Sequence, residues 1–355
     1  MEPDLYWFES HREVIMIDDY FSNPPLSWKK ISSLFFKGLT WCLTLFCFYL
    51  VYSKLLAAAE SRNISSLGLL IQFFSGVEWG KWLLIMIPYS IFFFLIDTHA
   101  AWRAIKWFNA PALTYKNIMP IRGSALILSI MSEQVGKGAM SLYLLKRYRV
   151  PGWEALSTMI FLGVCEIYQL LFFSFLGIVF YYDFLSGAVW EFPLMQTLIF
   201  VFILAFSYIP IHFVLFKGSY FSDSLLIRKP FFHSLRKAHI GHYVLLLCFK
   251  APNLLGAVLV YSLALGLFGY EVSYAKMLVF LPLIFLAAAL PLPFHAGALV
   301  IWVLLFPEFP EVGIFSLVMH TFFLLVNATI GVLFLPYANK ELFSGQDKEN
   351  SLDHA

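Results

Sequence analysis

Five side chains in this 355-residue chain carry chemistry into apolar surroundings: Glu133, Lys137, Glu166, Lys250 and His295. A charge at the centre of a bilayer costs ~2.5–3.5 kcal/mol on insertion scales, so such groups persist as partners of one another, as proton or ion relays, or as a cradle for an anionic headgroup. Glu133 and Lys137 are four apart, the spacing at which a continuous helix lets opposite charges neutralise each other. A structural ion pair is one reading of them, and contact between Lys137 and a lipid phosphate is the other. Lys250 falls about nine residues into its apolar stretch, which at ~1.5 Å per residue is ~14 Å deep, near the middle of a ~30 Å core. Glu166 falls about thirteen residues into another stretch, also near mid-depth, where its plain structural role is a salt bridge to Lys250. Depth therefore predicts that all five side chains converge on one polar cavity near the midplane. Lys137, Lys250, Arg122 and His295 would be its headgroup ligands, and Glu133 and Glu166 its acidic, coupling members.

Two unusual segments must position these groups. In the first, 121–150, two apolar arms meet at Gly136-Lys137-Gly138, and each is too short for the ~20 residues of a spanning helix. The second, 277–306, is interrupted by Pro291-Leu292-Pro293-Phe294-His295-Ala296-Gly297. Gly136, Gly138, Pro291, Pro293 and Gly297 are the expected breaks. Each segment is either one helix with a polar middle or a hairpin that enters the bilayer halfway and returns. Full spans are expected at 38–58, 82–100, 153–181, 191–216, 241–268 and 312–336. With both segments as hairpins, the cytoplasmic pieces hold 18 Lys and Arg and the external pieces three. As full spans they would carry eight of those charges outside, against the positive-inside rule. The expected fold is therefore an all-α polytopic membrane protein with about six full transmembrane helices and two opposed re-entrant hairpins. Residues 1–37 and 337–355 would be cytoplasmic, the latter a disordered tail, around a membrane domain at 38–336.

Composition supports this class: 60% of residues are hydrophobic and 13% charged, and the mean hydropathy is +0.77, too apolar for a soluble domain to cover itself. The chain opens on Glu2 and Asp4, where a secretory signal would begin with basic residues. Cys42, Cys47, Cys165 and Cys248 lie in apolar stretches without CxxC spacing, and the histidines show no metal spacing, so neither a metal nor a cofactor is expected. No HExxH, P-loop or GxSxG motif is present. Basic residues spread along the cytoplasmic edge suit anionic lipid headgroups and not nucleic acid.

The run YLLKRYRVPGWEALSTMIFLGVCEIYQLL, residues 143–171, resembles the transmembrane domain of the lysylphosphatidylglycerol synthase family and its flippase-like relatives. There a Gly-containing segment leads into YLL and two basic residues, then an AL-[AS]-T step and a span with acidic residues. Pro291 to Gly297 is similar to the family's second Pro/Gly-rich turn, and the resemblance covers about 116–336. The chain departs from the pattern at SEQVGKG, where the family has a Pro-Gly-Arg-x-Gly-Glu run, and at GALVIW, which lacks the family's acid. The resemblance implies movement of a phospholipid or polyprenyl-linked anionic lipid between leaflets of the inner, cytoplasmic membrane. No aminoacyl-transfer domain follows the last span, so synthase activity is not implied. Membrane lipids are the expected partners, with a homo-oligomer or a partner membrane enzyme left open. The alternatives are a membrane-embedded lipid-modifying enzyme working through Glu133, Glu166 and His295, and a non-catalytic scaffold.

Overall fold

The computed structural model describes residues 26–131, 133–180, 194–217, 228–290 and 292–343. Every regular element among them is helical. In chain order the α-helices are α1 (Leu26–Ser61), α2 (Ser66–Ser75), α3 (Trp79–Phe108), α4 (Tyr115–Met131), α5 (Glu133–Tyr148), α6 (Gly152–Phe180), α7 (Leu194–Lys217), α8 (His233–Lys237), α9 (Ile240–Leu267), α10 (Tyr274–Ala288), α11 (Ala296–Leu305) and α12 (Val312–Phe343). Five of them, α1, α3, α6, α9 and α12, are long and apolar enough to cross a membrane. Inside hydrocarbon no water replaces a lost backbone hydrogen bond, so these apolar runs close their N–H and C=O groups within the helix. α7 stands where the span at 191–216 is expected.

The stretch 59–81, expected as a polar connection, contains α2. Its sequence, SLGLLIQFFS, is apolar, and the Ser65 Oγ caps it by accepting from the Gly68 N–H at 3.0 Å.

Each unusual segment is a pair of short helices packed on each other, α4 with α5 and α10 with α11. α4 ends at Met131 and α5 begins at Glu133, so the break does not fall at the two glycines, which both lie inside α5. Gly136 serves close approach: a Cβ there would collide with the Ser129 Oγ and lie 3.2 Å from the Ala125 carbonyl oxygen on α4. A Cβ at Gly138 would meet nothing within 4 Å beyond the backbone of its own helix. Gly136→Val is therefore expected to cost ~1–3 kcal/mol by overpacking, whereas Gly138→Ala removes only a helix penalty of ~1 kcal/mol and should stabilise. Thermal unfolding of the two purified variants checks this; equal behaviour would contradict the packing role of Gly136.

In the second segment Gly297 is also a contact position, since a Cβ there would sit 2.8 Å from the Ala287 carbonyl oxygen. Pro293 opens a 3-10 turn, Pro293–His295, in which Phe294 and His295 have φ of 57° and 51°. Left-handed backbone costs a non-glycine residue ~1–2 kcal/mol, so this turn is held by its surroundings. Among them, the Phe48 ring of α1 meets Phe294 edge-on with centroids 6.2 Å apart. Pro291 lies outside the described residues.

The last helix does not stop at 336. α12 runs to Phe343 because Glu341 accepts hydrogen bonds from Asn117 Nδ2 at 2.8 Å and the Tyr143 hydroxyl at 3.2 Å, tying it to the base of the α4–α5 pair. The remainder of the expected tail, 344–355, lies outside the described residues, as does 1–25.

Among the described residues two large apolar clusters and two smaller ones fill the interior. One large cluster is aromatic, built from Trp82, Tyr261, Phe280, Trp302 and Phe315. The other packs small residues, among them Ala100, Ala101, Ala104, Ala125 and Ala155, around Tyr143 and Phe161. Along α3 and α9 these two are separated by the turns that carry Asp97 and Lys250.

Candidate functional site

Asp97 is buried on α3, eleven residues before that helix ends, on a stripe continued by Ala101, Ala104, Ile105 and Phe108. Arg122 reaches it from α4, donating to Asp97 Oδ2 through Nε at 3.0 Å and through an NH group at 2.6 Å. The other oxygen, Oδ1, meets Lys250 Nζ from α9 at 3.1 Å. Lys250 also donates to Glu166 Oε1 on α6. Four helices thus contribute one unbroken run of alternating charge: Arg122, Asp97, Lys250, Glu166. Each buried charge has an opposite neighbour, which is the condition for keeping ions in a low-dielectric interior.

Exposure is lowest at Lys250 and highest at one end of the run. The side chains of Lys250 and Asp97 are 7% and 12% exposed, Arg122 is at 22% and Glu166 at 37%. Glu166 is the end that meets the protein surface, and its neighbour Ile167 is exposed as well.

Lys137 joins the group from α5. Its Nζ lies 3.6 Å from where a Cβ of Gly163 would stand, one turn before Glu166 on α6. Asp97, Arg122, Lys137, Glu166 and Lys250 line a cavity of about 40 Å³, closed by Ala101, Met140, Met159 and Leu162. Since a water needs about 10–15 Å³ of such space, this volume suits a few waters and no phosphate headgroup. Among the described side chains three cations here face two carboxylates.

Of the residues singled out from the sequence, Arg122, Lys137, Glu166 and Lys250 line the cavity. His295 is not among its lining residues; its ring faces His320 of α12, with centroids 4.2 Å apart, on the α10–α11 side. The Glu133 side chain lies outside the described residues, although its backbone opens α5 one turn before Lys137. Asp97 is the residue that sequence reasoning passed over, because a span ending at 100 puts it at the interface. The continued stripe to Phe108 is the signal that places it in the interior.

A ring of aromatic and basic side chains surrounds the end of α3 nearest this site. Arg103 stacks over Trp102 and Phe249 at 5.4 and 5.2 Å from the ring centroids, and Lys106 stands 5.3 Å over Trp102. Such a belt is what a membrane–water interface selects.

Comparison with family models, with characterised proteins and with solved structures returns no match. The five long apolar helices define the class: this is a multi-pass helical membrane protein. Within that class it carries a charged cluster at the meeting point of α3, α4, α5, α6 and α9.

Proposed function

We propose that the protein moves an anionic lipid between leaflets, with the charged cluster as its headgroup station. The observation that carries this is the outer end of the run of charge: Lys250 is its deepest member, and the outermost member is a carboxylate, Glu166, which a phosphate can replace as the partner of Lys250. Lys137, beside it, supplies a second ammonium to the same phosphate. A lipid also needs its acyl chains to remain in hydrocarbon. The exposure of Glu166 next to Ile167, with Phe172 further along α6, supports a lateral opening toward the bilayer and not a water-filled vestibule.

In this reading the α4–α5 and α10–α11 pairs are re-entrant hairpins, the first inserted from the cytoplasm and the second from outside, α7 is a sixth span, and both termini are cytoplasmic in an inner membrane. Support comes from helix length: with 17, 16, 15 and 10 residues at ~1.5 Å per residue, all four helices fall short of the ~30 Å of a hydrocarbon core. The charge asymmetry of the connections points the same way. Single cysteines at Arg147 and Arg236 are expected to label only from the cytoplasmic face, and one at Pro310 only from outside; Ser186, expected outside too, lies beyond the described residues. External labelling at 147 would contradict the first hairpin.

The likeness of residues 143–171 to the flippase-like family of lysylphosphatidylglycerol synthases supports the same function. Purified protein in liposomes with a labelled anionic lipid tests it. Leaflet exchange is the expected result, a change in lipid mass would identify a lipid-modifying enzyme, and neither would leave a scaffold.

A further inference from the structure

Helix order repeats along the chain. A long helix, two short ones and a second long helix run from α3 to α6 and again from α9 to α12. The packing repeats with them. α4 lies on α12, the last helix of the other set, and α10 lies on α6; α3 and α9 pack against each other.

Individual positions correspond at separations of 161 to 164 residues. Pro88 lies inside α3 and Pro252 inside α9, 164 positions on, the separation that also relates Tyr89 to Asn253. Ala125 receives Gly136 in the first short pair and Ala287 receives Gly297 in the second, shifts of 162 and 161. Where Asn117 of α4 meets Glu341 of α12, the positions 162 residues after the first and 164 before the second are Val279 of α10 and Gly177 of α6, and these touch as well: a Cβ on Gly177 would lie 2.8 Å from the Val279 Cα. Residues on a two-fold axis must contact their own equivalents. Tyr89 and Asn253 do so, the tyrosine hydroxyl donating to the Asn253 carbonyl at 3.2 Å.

The two sets run in opposite directions. His99 meets Phe249 and Trp107 meets His242, with ring centroids 5.2 and 4.9 Å apart, so rising numbers on α3 pair with falling numbers on α9. At the charged site the shift of each helix, 164 for α3 and α9, 162 for α4 and 161 for α5, sends Asp97 to Tyr261, Arg122 to Ile284 and Lys137 to Ala298, and sends Lys250 back to Met86. All four of these equivalents are buried in the aromatic core. One half therefore holds a polar cavity where the other holds a solid apolar plug.

We infer that residues 79–180 and 240–343 are two copies of one unit inserted in opposite directions, and that their two equivalent seams, α4 against α12 and α10 against α6, open in turn. The coupling to lipid movement rests on the function proposed above; the alternation of seams does not. Such a device accounts for a headgroup station that in this structure admits only water, because opening one seam enlarges the cavity while the apolar plug holds the opposite side shut.

Disulfide locking with hydrogen–deuterium exchange in nanodiscs tests it. In a chain whose native cysteines are replaced by alanine, Ile127→Cys with Gly331→Cys bridges the first seam after folding. Leu171→Cys with Leu283→Cys, which are packed in one cluster and replace no glycine, bridges the second. Oxidation of the first pair is expected to raise deuterium uptake in α10 severalfold, oxidation of the second to raise it in α4, and reduction to reverse both. Unchanged uptake at the free seam in both locked proteins would overturn the alternation. In liposomes each lock should also stop lipid exchange, and exchange at the unlocked rate would overturn it too. If the unmodified protein moves no lipid at all, the function proposed above fails, and the deuterium result still decides this inference.

Discussion

Lys250→Met is expected to destabilise the protein by about 3–5 kcal/mol, the usual cost of removing one partner from a buried ion pair. The side chain is 7% exposed and stands between two carboxylates. Its removal leaves Asp97 with only Arg122 and leaves Glu166 without the partner that holds it inward. Lys250→Met together with Glu166→Gln takes out one charge of each sign, and should recover much of the lost stability without restoring lipid exchange. Thermal unfolding in a single detergent compares the three proteins. A single variant as stable as the parent would show that the cluster is not an interdependent ion run.

The second large effect is expected at Lys137, with the opposite division between stability and activity. Lys137 is half-buried at the edge of the cavity, and Gly136 beside it makes the close contact between α5 and α4. Lys137→Gln should therefore unfold within about 1 kcal/mol of the parent, as for charges near a surface. Its ammonium is the group that a phosphate arriving beside Glu166 would meet, so exchange of an anionic lipid should fall at least tenfold, about 1.4 kcal/mol. A zwitterionic lipid offers the same phosphate with a compensating cation, and should be affected less. Loss of stability without selective loss of exchange would make Lys137 a structural residue.

Much of this was legible before any coordinates. Long apolar runs declare spanning helices because the bilayer leaves the backbone no other way to satisfy itself, and the short arms of 121–150 and 277–306 became pairs of short helices. Lys250 and Glu166 could be paired from depth alone, since the ~1.5 Å rise converts sequence position into height. Depth does not supply direction around the helix axis. His295 shows this: it sits in the turn between α10 and α11, yet its ring faces His320 and not the cluster. Glycine was misread for a related reason. At 136 it permits contact between helices, and only the neighbouring helix, invisible in a local window, distinguishes that use from a break. Asp97 was missed because hydropathy weakens at Asp97-Thr98-His99 while the helix continues for three turns with its buried stripe intact. The end of α12 likewise depends on Glu341 meeting Asn117 and Tyr143, partners about 200 residues away that no local pattern reveals.

The inverted repeat lay beyond sequence inspection for a different reason. Its two copies share helix order and packing positions but fill equivalent sites with opposite chemistry: Asp97, Arg122 and Lys137 in one, Tyr261, Ile284 and Ala298 in the other. A helix contact needs only small residues at the right heights, such as Gly136 and Gly297, so two sequences diverge freely elsewhere while the backbone arrangement survives.

The most direct test is leaflet exchange of a fluorescent anionic phospholipid in liposomes containing either the parent protein or Lys137→Gln at equal density, with a zwitterionic lipid followed in parallel. The account predicts that the parent moves the anionic lipid faster than protein-free liposomes do, and that Lys137→Gln loses this at least tenfold while remaining folded. Equal rates for the two proteins, or a parent no faster than empty liposomes, would contradict it.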